Sequence, residues 1–297
     1  MALESTHVNV PLSTLSIGYR NSGYVADRVF PIVPVVRDSD SYAMYDLSAF
    51  RNETTLRAPR TEARLVHWAN TWGTYACDEH ALADMIDDKE RRNSNVPADL
   101  TSQMVERLTD KLLLSREVRV RDLLCSTATW TNSSPTAKWD VAGTDVIGQV
   151  KQAVTSVTLL RPNTMVVSRA VVDALEGNTA ILDRIKYTQR AVVTEDLLSA
   201  LFGIPRVLVA EASINTAAEG QTDSVSYVWS DNVWIGYTAE RGGLNIATAG
   251  LTFQSQALQV RKWREEAAHS DRIEVSHAED ECVVAANLGV LLTGVLT

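Results

Sequence analysis

The sequence predicts an α+β fold in which a compact α/β region is inserted into a more extended framework. Helix and strand patterns alternate between residues 141 and 250, one long amphipathic helix precedes them, and two long β patterns follow them. Alternating short elements are typical of α/β units, whereas long isolated elements need another surface to cover them. This order of elements predicts that the chain leaves one layer of the molecule, builds a separate domain and then returns to the first layer.

The composition is that of a globular protein. The chain has 297 residues, 45% of them hydrophobic and 22% charged, with a formal net charge of −9. An acidic surface repels nucleic acid, which disfavours a DNA-binding module. The three cysteines form no Cys-x-x-Cys pair and no secretory signal pattern is present, so we expect reduced thiols. The longest apolar stretch is too short to span a bilayer, so no membrane partner is expected.

An N-terminal arm, residues 1–36, contains an apolar stretch interrupted by Pro31 and Pro34. Proline removes a backbone donor and makes the preceding residue extended, so neither a helix nor a central strand is expected through these positions. The apolar side chains still require burial, and we expect them to lie on a neighbouring subunit. The candidate interface residues are Val29, Phe30, Ile32, Val33 and Val35.

Residues 37–80 predict an extended β-hairpin loop with a polar, basic tip. Aromatic residues recur at even spacing in its returning strand, as in a half-buried strand. An isolated hairpin is marginally stable in water, so the projection should rest on another surface. The candidate interface residues here are Arg51, Arg57, Arg60, Trp68 and Trp72.

An acidic segment, residues 77–90, contains six acids and one lysine. We predict a short helix here, with Leu82, Met85 and Ile86 on one side. Its charge is opposite to that of the hairpin tip, which favours pairing of the two segments within or between chains. The candidate interface residues are Asp84, Asp87 and Asp88.

Residues 97–125 give the strongest helix prediction. Pro97 suits a first helical turn, and leucines and methionine form an apolar stripe from Leu100 to Leu124. Arg116 and Glu117 are assigned to the solvated side. The helix would be roughly 40 Å long, which suits a spine. The short basic runs at 116–121 and 261–264 are interpreted as solvated faces or subunit contacts.

Residues 141–250 contain clear helix boundaries. Thr144 or Asp145, Ser168 and Thr194 are predicted N-caps, and Gly177 and Gly203 predicted helix ends. A hairpin turn is predicted between the tryptophans at 229 and 234. The tail, residues 251–297, predicts two paired strands that return alongside the spine helix.

No catalytic motif of useful specificity is present. The sequence lacks a Gly-x-Ser-x-Gly elbow, a phosphate-binding loop and a His-Glu-x-x-His pair. His269 and His277 have no ligand-like spacing, so we expect neither a metal site nor a cofactor, and no enzymatic activity. Because catalytic triads assemble in space, an oligomeric α/β enzyme with its catalytic domain at 141–250 stays an alternative.

This order of parts resembles the major capsid proteins of tailed bacteriophages, whose fold encapsulins share. The segments "YVADRVFPIVPV", "NTMVVSRAVVDALEGNTAILDRI" and "LLSALFGIPRVLVAEA" look most like those proteins. The resemblance covers nearly the whole chain. It implies the following division: N-terminal arm 1–36, extended loop 37–80, peripheral domain with the spine helix 81–140, inserted α/β axial domain 141–250, and C-terminal return to the peripheral domain 251–297.

The resemblance implies a structural protein that self-assembles, through hexamers and pentamers, into an icosahedral phage head. Such a shell is assembled in the host cytoplasm and encloses double-stranded DNA without sequence-specific binding. The implied partners are a separate scaffolding protein, a portal protein and a decoration protein. Some family members join subunits through a lysine in the extended loop, but residues 37–77 contain no lysine, and arginine is a poor nucleophile. An encapsulin-like compartment with a protein cargo is the nearest alternative.

Overall fold

The computed structural model describes residues 8–18, 23–44, 52, 55–57, 59–63, 65, 71–94, 97–185, 194–218, 220–243 and 246–297. The helices are α1 (Val10–Gly18), α2 (Ala26–Val29), α3 (Asp88–Asn93), α4 (Pro97–Leu124), α5 (Val146–Ser156), α6 (Arg169–Glu176), α7 (Thr179–Ile185) and α8 (Glu195–Phe202). The strands are β1 (Ile32–Pro34), β2 (Ser39–Met44), β3 (Thr71–Ala76), β4 (Asp78–Asp87), β5 (Thr131–Ser133), β6 (Thr164–Ser168), β7 (Arg206–Ala210), β8 (Ser213–Asn215), β9 (Val225–Tyr227), β10 (Val233–Gly236), β11 (Gly250–Glu265), β12 (Ser270–Val283) and β13 (Gly289–Leu292).

The spine helix α4 packs on a sheet built from both ends of the chain. Within the described residues, this sheet has the strand order β1-β11-β12-β4. The tail strands β11 and β12 pair antiparallel from Gly250 and Val283 to Glu265 and Ser270, as the sequence predicts. The helix stripe meets the sheet in a core that includes Leu108, Leu112, Ile86, Val260, Ile273 and Val275.

A second sheet forms the α/β part, with the described strands in the order β5-β13-β10-β6-β7. Its helices begin where the sequence predicts. The side chains of Asp145, Ser168 and Thr194 each accept a hydrogen bond from a backbone N–H in the first turn. Gly203 ends α8 with a φ of 69°, which glycine adopts without steric penalty. These local signals therefore fix the element boundaries.

Two strands of this second sheet come from outside residues 141–250. β5 precedes that range and β13 follows it, and Val290, Leu292 and Val295 are buried in the α/β core. The prediction that the whole tail returns to the peripheral layer is therefore wrong for its last strand. The predicted hairpin around residues 229–234 is also wrong, because β9 pairs with β8, whereas β10 lies between β13 and β6. Trp234 and Ile235 need burial on both faces of a sheet, and a central position provides it.

The acidic segment is a strand, not the predicted helix. β4 pairs antiparallel with β12 over ten residues, from Asp78 opposite Glu279 to Asp87 opposite Ser270. This long-range ladder satisfies the backbone and overrides the weak helical spacing of the apolar residues. Of those residues only Ile86 is buried, whereas Leu82 and Met85 are exposed. A short helix, α3, begins only at Asp88.

The apolar part of the N-terminal arm is docked on its own chain. Helix α2 ends at Val29, before Pro31, and β1 then pairs in parallel with β11 as an edge strand. This agrees with the effect predicted for the two prolines. Val29, Phe30 and Val33 are buried in the chain's own core, so their predicted role at a subunit interface is wrong. Ile32 is partly exposed and Val35 half-buried, so for these two the interface role stays a prediction.

Two glycines leave space for this arm. A Cβ atom on Gly250 would lie 2.4 Å from the ring of Phe30, and one on Gly242 would lie 2.5 Å from the carbonyl oxygen of Ile32. Real Cβ atoms essentially never approach other heavy atoms that closely, so any larger residue would displace the arm.

Candidate assembly surfaces

The hairpin of β2 and β3 is anchored at its base. Its strands pair from Ser39 opposite Ala76 to Met44 opposite Thr71. Tyr42 and Tyr75 pack on Phe253 of β11, with ring centroids 5.1 Å and 4.5 Å apart. The backbone N–H of Ala76 also donates to Asp280 Oδ2 at 2.9 Å. The sheet therefore fixes the direction in which the hairpin leaves the body.

The hairpin carries exposed apolar and basic side chains. Trp72 is 60% exposed although tryptophan favours burial, and Leu56 and Leu65 are also exposed. Arg57 and Arg60 are exposed as well, and the ion pairs between described residues include neither of them. The predicted candidates Arg51 and Trp68 lie outside the described residues. An apolar and cationic surface of this kind suits contact with an acidic partner surface.

The three acidic candidates lie at the edge of the first sheet. Asp84 is exposed on β4, and Asp87 caps α3 by accepting a hydrogen bond from the Lys89 backbone N–H. Asp88 accepts two hydrogen bonds from Arg264, both at 2.6 Å, and these bonds lower the pKa of its carboxyl. Asp88 therefore already has a partner in its own chain, whereas Asp84 presents its charge to solvent.

A buried cluster of charges joins the spine helix to the sheet. Arg119 Nη2 lies 2.7 Å from Glu279 Oε1 and 2.8 Å from Glu281 Oε1. Arg116 lies 3.7 Å from Glu279 Oε1 and also forms an ion pair with Asp27 of α2. The interpretation of the run 116–121 as a solvated face or subunit contact is therefore wrong for both arginines.

The charges in this cluster control the protonation of Glu279. Burial acts to raise the pKa of its carboxyl, but the His277 imidazole, with Nε2 2.8 Å from Glu279 Oε1, and the two arginines outweigh burial. The pKa of Glu279 is consequently held well below its ordinary value of 4.5. The sequence could not indicate this, because the partners are about 160 positions apart.

Glu117 is a further residue that the sequence placed wrongly. The sequence predicts a place on the solvated side of the spine helix, whereas the structure buries Glu117 fully. Glu117, Val120 and Leu124 follow the spacing of one helix face, so this pattern could have placed Glu117 in the core. Its carboxyl contacts α2 and Trp229.

Thiols and potential metal ligands are spread over the described residues. In this part of the chain no three His, Cys, Asp or Glu side chains are grouped so as to hold a metal ion. Burial raises the pKa of the Cys77 and Cys125 thiols and raises that of Cys282 to about 12, so each is a poor nucleophile at neutral pH. Over the same residues, none of the helices combines the length and apolar character needed to cross a membrane.

Similarity to known proteins extends over nearly the whole chain. The sequence is 26% identical to the major capsid protein of Burkholderia phage BcepMu, over 97% of this chain and 96% of that protein. A solved phage-related protein from Bordetella bronchiseptica matches the structure with a TM-score of 0.81 at 22% identity, covering 98% of this chain and 99% of the other. The subunit in the capsid structure of cyanophage P-SCSP1u matches with a TM-score of 0.64 at 13% identity, covering 98% and 92%.

The chain has the fold of a tailed-phage capsid protein. This confirms the fold class predicted from the sequence. No protein-family model matches the sequence. Within this capsid fold, the exposed hairpin and the acidic edge strand are the surfaces most suited to subunit contact, and their roles stay predictions.

Proposed function

We propose that this chain is a major capsid protein, which self-assembles into the icosahedral head of a tailed double-stranded DNA bacteriophage and is a component of the virion. The single observation that supports this best is the end-to-end similarity to a phage major capsid protein, at 26% identity over 97% of the chain. The capsid fold of the structure agrees with it. A chance match would not align nearly the full length of both chains.

The role is structural rather than enzymatic. The curated relative that this chain resembles over nearly its full length is named a major capsid protein, and capsid subunits act by contact. The subunits form hexamers and pentamers, with a separate scaffolding protein, a portal protein and a decoration protein as further partners. The shell encloses DNA without reading its sequence, as suits a chain of net charge −9.

The subunits associate through noncovalent contacts. The hairpin of one chain presents Trp72, Arg57 and Arg60 to the acidic edge strand of a neighbour. On that strand, Asp84 forms no ion pair with a described cation of its own chain. Rim charges of this kind guide association and select register more than they add affinity. Because residues 37–77 contain no lysine, no covalent ladder of subunits forms.

The content of purified particles tests this function. Particles that contain this chain should protect double-stranded DNA from nuclease, and denaturing gels should show it as a single-subunit band after boiling. An enzyme or other protein cargo in place of DNA would identify a compartment shell instead. A ladder of covalent multimers would contradict the noncovalent assembly.

A further inference from the structure

A groove opens on the α/β part between the second half of α5 and the second half of α8. Residues within 151–161 and 200–203 line it, and its volume is about 600 Å³. Pockets that bind ligands in proteins commonly measure about 300–1,000 Å³. The groove therefore has room for a large side chain of a partner.

The floor of this groove is apolar. Val157 and Phe202 are buried in the α/β core, whereas Val154 and Leu201 pack against that core and stay partly exposed. Ala200 lies on the rim and presents only a methyl group. Because a partly exposed apolar side chain gains free energy when further covered, the floor suits an apolar side chain of a partner.

Two cations stand at the rim with no acid beside them. Lys151 and Arg161 are exposed, and no ion pair between described residues includes either of them. Arg161 Nη2 donates to the carbonyl oxygen of Gly203 at 3.3 Å, which leaves its other N–H groups for a further acceptor. No aspartate or glutamate is among the residues that line the groove, and the acids of the two helices lie at their opposite, N-terminal ends. The groove is thus locally cationic in a chain of net charge −9.

An apolar floor between two cations favours a protein segment over nucleic acid. A nucleic-acid backbone offers phosphates to the cations but no apolar group to the floor. A segment with an apolar side chain between carboxylates matches both parts of the groove. Acidic elements of this chain such as α6 and β4 are engaged elsewhere, because α6 buries its apolar side in its own core, with its acids paired to Arg169, and β4 is paired along its length with β12.

We propose that the groove between α5 and α8 binds an acidic segment of a second protein, which inserts one apolar side chain between the helices and places carboxylates beside Lys151 and Arg161. The site goes beyond the proposed function and does not depend on it, because the groove belongs to a single chain. The attraction acts between exposed charges, so salt screens it.

Fluorescence anisotropy on the unassembled full-length chain tests this site. The probe is a short fluorescein-labelled peptide with one phenylalanine flanked by glutamates. It should bind saturably, and more weakly as salt is added. Lys151→Glu and Arg161→Glu should each weaken binding by about tenfold or more, because repulsion replaces attraction. Ala200→Trp, at an exposed position on the rim, should fill the groove and abolish binding.

Arg184→Glu is the matched control, because Arg184 is exposed on α7, outside the groove, and the change in net charge is the same. It should bind the probe as the wild type does, and circular dichroism should show that every variant is folded. The proposal is overturned if the probe does not bind saturably, if Arg184→Glu weakens binding as much as Lys151→Glu, or if a peptide with glutamines in place of the glutamates binds equally well.

Two further results would assign the groove to another occupant and would also overturn the proposal. Displacement of the probe by a short DNA duplex would identify a nucleic-acid site. Loss of self-association in Ala200→Trp, measured by sedimentation velocity, would identify a second copy of this chain as the occupant. We expect neither result.

Discussion

Glu279 illustrates how much a single buried charge can determine in this molecule. It lies on β12 with its side chain 2% exposed and binds Arg119 and Arg116 of the spine helix. Removing one member of a buried ion pair leaves the other charge buried without a partner, which destabilises a protein by about 3–5 kcal/mol. The attachment of the helix to the sheet depends on this cluster as well as on apolar packing.

We expect Glu279→Gln to lower the free energy of unfolding by an amount in that range. Because the pKa of Glu279 is lowered in the folded chain, its contribution is present above pH 4.5 and is lost as the pH falls towards the lowered value. Denaturant unfolding at several pH values should therefore show a shallower acid dependence in the variant. Glu274→Gln, on the same strand but in a looser pair with Arg261 at 3.6 Å, should cost less than about 1 kcal/mol. Equal acid dependence in Glu279→Gln and wild type would refute the assignment.

The close contact between Phe30 and Gly250 leads to a second prediction about individual residues. Gly250→Ala would drive a methyl group into the ring, so we expect a loss of about 1–3 kcal/mol in thermal or denaturant unfolding. Phe30→Ala alone should cost about 3–5 kcal/mol, and less in the Gly250→Ala background because the two positions are coupled. Gly177→Ala is the control, because its added Cβ would meet only an ordinary contact at 3.7 Å. If Gly250→Ala and Phe30→Ala lowered the free energy of unfolding additively, the result would count against docking of the arm on its own chain.

At the scale of elements, local signals predicted well and long-range pairing did not. The caps at Asp145, Ser168 and Thr194 act within one helical turn, so the sequence indicates them directly. The strand β4 depends on β12, almost 200 residues away, and its sequence alone resembles a helix as much as a strand. A local sequence pattern also cannot predict that β1 pairs with β11, or that β13 joins the second sheet beside β5.

The hairpin is the element whose contact role can be tested alone. Trp72→Asp should leave the fold intact, because the side chain is largely exposed, but should strongly reduce assembly through loss of an apolar contact. Sedimentation velocity would measure the fraction of chain in large particles, and circular dichroism would check the fold. Leu182→Asp, at an exposed position on α7, is the control and should assemble normally. Unimpaired assembly of Trp72→Asp would remove the hairpin tryptophan from the interface.

At the scale of the whole molecule, the described residues form two large sheets and two two-stranded sheets, and the chain passes several times between the two large ones. The N-terminal segment and both long tail strands build the framework around α4, whereas β5 and β13 join the inserted α/β sheet. The order of parts was predictable because it resembles a known family. The self-docking of the arm was not, because its covering surface comes from residues such as Val120 and Ala249, far along the chain. We therefore expect assembly to depend on the exposed hairpin and edge strand more than on the buried part of the arm.

Electron microscopy of the purified full-length chain, expressed with and without a scaffolding protein, tests the central claim most directly. We predict closed shells of uniform diameter with icosahedral symmetry in at least one of these preparations. A chain that stays folded but monomeric in both, at concentrations where phage shells form, would contradict its role as a capsid subunit.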